Sequence, residues 1–503
     1  MGVMLGTVPT SVPQFILLGN WLLEGKFKLK WQLLKENYLF WILSAVFFIH
    51  VIGLLYTSDL AAGWNDVRTK IPLMYLPLIF FTTAPLRRNE FNYLLQFFIA
   101  GTFINISWCF FYSKILHHTE EVRNVSRFMS HIRLGFLIDM AIIFCFYFFN
   151  FYKQTRLKLV FAFAAAYFGL SLYYLGLMSG IVNLACIAFI FALYVLFKQN
   201  RFIGFTFTTI LILFSFFILS KIQNFYRSNF EIKPIDMSTN KGYSPSGRPY
   251  SNFQFAKQVE NGYEVAINIQ ETEVEAEWNR RFPADSFNIT QRYNMSTYFT
   301  LLRFLASKGE NKDSVSVSHL TVNESNDIRK GVTNYLYPQW SFIHKRLYEL
   351  FYDYYEYVNA GTVNGHSFSM RLFYLKAAFC AIDEHLIFGT GTGDVQTTMN
   401  ICYKHSSSPL HKDWYKRPHN QFITITVALG LVGLCVFICS LIFPLIYLRK
   451  QLGIIYWLFF SSAIISFLFE DTLETQSGLS FFAIFNTLYL VDAYFKKKQI
   501  LQD

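Results

Sequence analysis

Apolar runs of roughly twenty residues, each closed by a short polar joint, repeat from the first residues to about Leu219 and resume at Gln421. That length is what an α-helix needs to cross the hydrocarbon core of a bilayer. The pattern predicts about eleven spans, near residues 3–23, 38–57, 71–86, 91–113, 132–152, 157–176, 177–197, 202–220, 421–447, 454–469 and 478–495. Pro9 and Pro13 weaken the first, and Pro72 and Pro77 interrupt the short third, which is expected to kink. A turn near Ser179-Gly180 is expected to divide the long 157–197 stretch.

Between the two apolar blocks the periodicity changes. YEVAINIQ (263–270) alternates as a strand does, and NMSTYFTLLRFLASKG (294–309) reads as a helix ending at Gly309. SFIHKRLYELFYDYYEYV (341–358) reads as an aromatic amphipathic helix suited to a membrane surface, and YSPSGRPYS (243–251) as a loop. The expected architecture is an all-α polytopic membrane protein with about 11–12 transmembrane helices and one large extracytoplasmic loop domain. Its regions are an N-terminal bundle (1–220), the loop domain with its interfacial helix (221–420) and C-terminal helices (421–503).

Composition supports this class. The chain is 53% hydrophobic and 19% aromatic but 15% charged, against about 25% charged for soluble domains. The net charge of +11 falls in clusters between apolar runs, such as Lys26 to Lys35, Arg87-Arg88, Lys153 to Lys158, Arg449-Lys450 and Lys496 to Lys498. Such clustering is a topology signal and argues against nucleic acid as a partner. It places the C-terminus in the cytoplasm and residues 221–420 outside; no basic region precedes the first apolar run, so no cleavable signal is expected. The seven cysteines lie mostly in apolar segments, with no disulfide framework or zinc spacing, and Cys402 reads as incidental.

The candidate chemistry lies in one stretch. RLFYLKAAFCAIDEHLIFGTGTGD starts at Arg371, and after a polar interval RPHNQFITITVALGLVG follows. No charged residue occurs between Asn420 and Arg449, so His419 stands at the mouth of a membrane helix. Helix N-termini favour anions, and an imidazole there is well placed for proton transfer. The turn Gly389–Asp394 lacks the Lys-Ser/Thr of a P-loop and the spacing of a dinucleotide fingerprint. Its glycines read either as a structural tight turn or as backbone approaching a ligand. Arg133 lies just inside the outer end of a span, where a charge either anchors the interface or faces a cavity. Glu470, Asp471 and Glu474 crowd the outer edge of another span; acceptor hydrogen bonding or helix capping is expected there ahead of metal binding.

The order Arg371, then Gly389-x-Gly391-x-Gly393-Asp394, then His419-Asn420, then Gly430-x-x-Gly433 resembles the O-antigen ligase and polymerase superfamily of bacterial membrane glycosyltransferases. The resemblance implies a multi-pass protein of the bacterial inner membrane with its large loop outside. It implies a polyprenyl-diphosphate-linked glycan as donor, a lipid or saccharide as acceptor, and no cofactor. His419 would be catalytic and Arg371 would hold the diphosphate. Arg133, Asn420, Lys376, Arg417, Gly391 and Asp394 would bind substrate. A polymerase of lipid-linked repeat units is the nearest alternative; a secondary transporter of envelope precursors and a non-catalytic assembly scaffold are more distant ones.

Overall fold

In lipid an isolated stretch of backbone satisfies its own polar groups only as a helix. The computed structural model describes residues 2, 6–116, 126, 128–233, 242–253, 258–359, 361 and 363–500, and it is helical in every predicted span. Eight helices are long and apolar enough to cross a membrane: Tyr38–Tyr56, Arg88–Ser113, His131–Phe151, Thr155–Tyr174, Met178–Gln199, Arg201–Phe230, Gln421–Leu448 and Gln476–Ile500. Among the described residues the other three expected spans form shorter or less apolar helices. Thr7–Glu24 contains Pro13 and polar positions, Pro72–Thr82 has 11 residues, and Ile454–Phe469 has 16. The chain is a multi-pass membrane protein.

The chain divides into two compact units, one made of residues 1–201, 373–408 and 415–503, the other of 202–372 and 409–414. In the first unit, helix starts carry their own caps. Asn37 accepts hydrogen bonds from the Leu39 and Phe40 N–H groups, and Asp59 accepts one from Ala62. Leu60–Lys70 and Pro72–Thr82 follow one another across Ile71, with Pro72 in the first turn, where its missing N–H costs nothing. The core is aromatic: Phe98, Phe144 and Phe485 meet edge-on or tilted with centroids 5.2–5.5 Å apart. The 157–197 stretch breaks at Leu175–Leu177, slightly before the expected turn.

The second unit is built on the Arg201–Phe230 helix and short helices whose core includes Trp278, Phe287, Tyr298, Leu301 and Leu305. The predicted 263–270 strand is reduced to Tyr263–Glu264, paired with Val259–Glu260 across an Asn261-Gly262 turn. Both turn residues have positive φ, and Asn268 does too, which ends the extended run. The helix expected at 294–309 is Met295–Ser307, with Gly309 at φ 77°. The aromatic helix forms as Phe342–Asn359, but part of its aromatic face is occupied. Tyr348 and Phe351 pack on Phe230 and Tyr226, with centroids 5.1 and 5.2 Å apart. Beneath them Arg303 pairs with the fully buried Glu260, which also accepts from Tyr348 and Asn334.

Candidate active site

The Gln421–Leu448 helix is broken at Gly430, whose φ of 64° and ψ of −163° suit only glycine. The break orphans two carbonyls and two N–H groups. The segment just before and inside the glycine-rich turn satisfies all four. Thr390 N–H donates to Val427 O and Gly391 N–H to Ala428 O, both at 2.9 Å. Leu431 N–H donates to Leu386 O at 2.9 Å and Val432 N–H to Ile387 O at 3.2 Å. Backbones come so close that a Cβ on Gly389 would lie 2.3 Å from Leu429 N.

The rest of the turn is held from its other side. Thr392 Oγ1 donates to His50 O (2.7 Å), and Gly393 N–H to Thr57 Oγ1 (3.0 Å). Asp394 accepts from the Ser58 and Asp59 N–H groups at 2.6 and 2.8 Å. Gly391 and Asp394, expected to touch substrate, thus join the broken helix to the loop after the Tyr38–Tyr56 span. The structural reading of the turn accounts for every one of these contacts.

Cys380 and Cys402 reinforce the arrangement with a disulfide across the turn. Reading Cys402 as incidental is therefore corrected. Its partner lies 22 residues away on the preceding helix, in a run whose composition looks like an ordinary apolar face.

Eleven residues before the break stands His419. Its φ of 53° puts a bulky residue in the left-handed region, a conformation that persists only where surroundings enforce it. Asn420 supplies the enforcement. Its side chain caps the helix by accepting from Ile423 N–H (3.1 Å) and donates to Leu468 O (3.1 Å). His419 is about one-third exposed; its Nδ1 lies 3.8 Å from Glu470 Oε2, and its ring is 5.7 Å from that of Tyr374. Arg133 reaches the same Glu470 oxygen at 4.0 Å. The fold therefore brings His419 and Arg133, 286 positions apart by subtraction of their numbers, to either side of one buried carboxylate.

Behind them lies an ionic cluster. Lys70 Nζ is 2.7 Å from Asp66 and 2.9 Å from Glu474, and Arg417 is 2.8 Å from Glu474. Gln421 donates to Glu474 (3.0 Å) and accepts from Leu473 N–H (2.7 Å), while Thr424 donates to Asp471 (2.6 Å). Burial alone would raise the Glu474 carboxyl, but Lys70 and Arg417 outweigh it and hold it well below the usual range. Burial, with the Glu474 charge beside it, pushes Asp66 up to about 7. Asp471 is also raised by burial, against the Thr424 hydrogen bond. Arg417, expected on substrate, is committed to this cluster.

Lys376 is exposed on the Ser367–Glu384 helix. Arg371 is half-buried in the same helix, within the stretch that belongs to the other unit. Lys70 and Asp66 escaped sequence reasoning. A signal existed: Arg68 and Lys70 are basic residues in a joint that the charge pattern assigns to the outside, and Asp66 precedes Lys70 by one helical turn.

Residues 331–438 match the sequence model of the family described as O-antigen ligase. The matched stretch includes Arg371, the glycine-rich turn, His419-Asn420 and Gly430. No curated protein matches the chain. His419 and Arg133 converge on Glu470, and this cluster is the candidate active site.

Proposed function

We propose that this protein transfers a saccharide from a polyprenyl diphosphate to an acceptor hydroxyl at the outer face of the bacterial inner membrane. The observation that carries the reading is His419, held in a left-handed conformation at a helix mouth beside Glu470 and Arg133. With Nδ1 turned to Glu470, Nε2 is left for the acceptor. It takes the hydroxyl proton as the oxygen attacks the anomeric carbon and the bond to the diphosphate breaks. Charge grows on the departing diphosphate, and Arg133 neutralises it with charge-assisted, bidentate contacts. Asn420 positions His419, and Glu470 orients the imidazole and stabilises it once protonated, as a carboxylate behind a catalytic histidine does.

The orientation rests on the basic clusters at one end of the spans and on the Cys380–Cys402 disulfide at the other. Disulfides persist on the oxidising side of the membrane. Transfer onto a lipid A core or similar acceptor is the first reading. Polymerisation, in which the acceptor is a second lipid-linked repeat, uses the same chemistry. The glycan profile of cells lacking the protein separates them. Loss of long chains from lipid A indicates ligation; single repeats on a complete core indicate polymerisation; an unchanged profile contradicts both.

A further inference from the structure

The first unit contains a cavity of about 1030 Å³ at the opposite end of its helices from His419. The Gln476–Ile500 helix shows the relation directly: it begins beside Glu474 and ends among Lys496, Lys497 and Lys498. Aromatic and aliphatic side chains line most of the cavity, including Trp21, Phe80, Phe146 and Phe191. None of it is used by the chemistry above.

Three residues of the Gln476–Ile500 helix give the cavity a polarity gradient. Tyr489, Asp492 and Lys496 all line it, at positions i, i+3 and i+7 on one helix face. The Tyr489 hydroxyl is buried and has no hydrogen-bond partner among the described residues. A buried donor of this kind calls for an acceptor that the protein itself does not supply. The charges come about 5 Å (Asp492) and about 10 Å (Lys496) further along the helix axis. Asp492 and Lys496 form an exposed pair at 2.5 Å, and Arg88 and Glu24, the latter 3.0 Å from the buried Lys30, join them on the lining. Exposed pairs of this type are weak and exchange partners readily.

We propose that this cavity holds one ester-linked glycerophospholipid with a zwitterionic, amine-bearing headgroup. An acyl chain fills the apolar wall. An ester carbonyl accepts from the Tyr489 hydroxyl at the depth where the glycerol backbone meets hydrocarbon. The phosphate lies against Arg88 and Lys496, and the ammonium against Glu24 and Asp492. Both charge signs at the rim favour this headgroup over a purely anionic one.

The test uses the full chain purified in mild detergent, stripped of lipid and then offered defined lipids, with bound lipid counted by native mass spectrometry. Wild type is expected to retain one ester-linked phosphatidylethanolamine per chain. Tyr489→Phe and the ether-linked analogue, which each remove one half of the hydrogen bond, should lower retention about fivefold. Ala84→Trp, in an exposed loop lining the cavity, should abolish retention while leaving the melting temperature unchanged. Retention that survives Ala84→Trp overturns the site. Equal retention of ester and ether lipids overturns the Tyr489 contact, and retention of phosphatidylglycerol as strong as that of phosphatidylethanolamine overturns the headgroup assignment.

Discussion

Lys70 and Glu474 are 404 residues apart in sequence, and their side chains meet at 2.9 Å with Lys70 almost wholly buried. The contact joins the short helix before Pro72 to the loop that also carries Glu470 and Asp471. Through Glu474 it fixes Arg417 and Gln421, which flank His419 and Asn420. Removing one partner of a buried pair leaves the other charge uncompensated, at a cost of about 3–5 kcal/mol. Lys70→Met is therefore expected to lower the melting temperature strongly. Lys70→Met combined with Glu474→Gln should recover part of that loss, and thermal unfolding in detergent measures both.

Asp66 gives the cluster a pH dependence. Its folded pKa, about 7, lies above the ordinary 3.8. A group raised in this way contributes stability that is complete below the unfolded value and is lost as pH rises through the folded one. Glu474 acts in the opposite sense, because its depressed carboxyl loses its contribution only as pH falls below the ordinary carboxylate range. Between about pH 4 and 7 the Asp66 contribution should govern. Melting temperature should fall across that window in wild type, and Asp66→Asn should flatten the slope.

Gly430→Ala tests the broken helix. A Cβ there would lie 2.2 Å from Ile387 O, in a backbone conformation closed to alanine. Little folded protein should reach the membrane. Gly453→Ala, where a Cβ meets nothing within 4 Å, is the matched control and should express normally.

The disulfide reports both structure and side. Closing a loop of this size contributes about 3 kcal/mol by restricting the unfolded chain. A membrane-impermeant maleimide should label Cys380 in intact cells with a permeabilised outer membrane only after reduction. Labelling solely from the cytoplasmic side would reverse the orientation proposed above.

Much of the fold was legible because lipid leaves the backbone few choices. Every predicted span is a helix, and Asn420 caps its helix where the apolar run begins. The helix between Lys70 and Thr83 is shorter than the apolar run that predicted it, because apolarity alone does not register the 11-residue length that remains. In the candidate site, His419 and Arg133 were readable as charged or titratable residues at span mouths. The Glu470 between them, and the Lys70–Glu474 pair behind them, depend on helices that meet only after the chain has folded. The glycine-rich turn could be read from sequence as a turn, but its partners could not. The hydrogen bonds of Thr390 and Gly391 go to carbonyls left free because Gly430 breaks a helix forty residues later, and those of Thr392 to Asp394 go to His50, Thr57, Ser58 and Asp59, more than three hundred residues earlier.

The central claim is that His419 takes the acceptor proton, and turnover against pH tests it most directly. The measurement compares wild type with His419→Gln at matched membrane levels, using a lipid-linked donor. General acid–base assistance is typically about 10²–10⁴-fold. Glutamine retains hydrogen bonding but cannot accept the proton, so His419→Gln should lose activity by that order. A glutamine variant that turns over at the wild-type rate, with the same pH profile, would contradict the account and leave His419 as a positioning group.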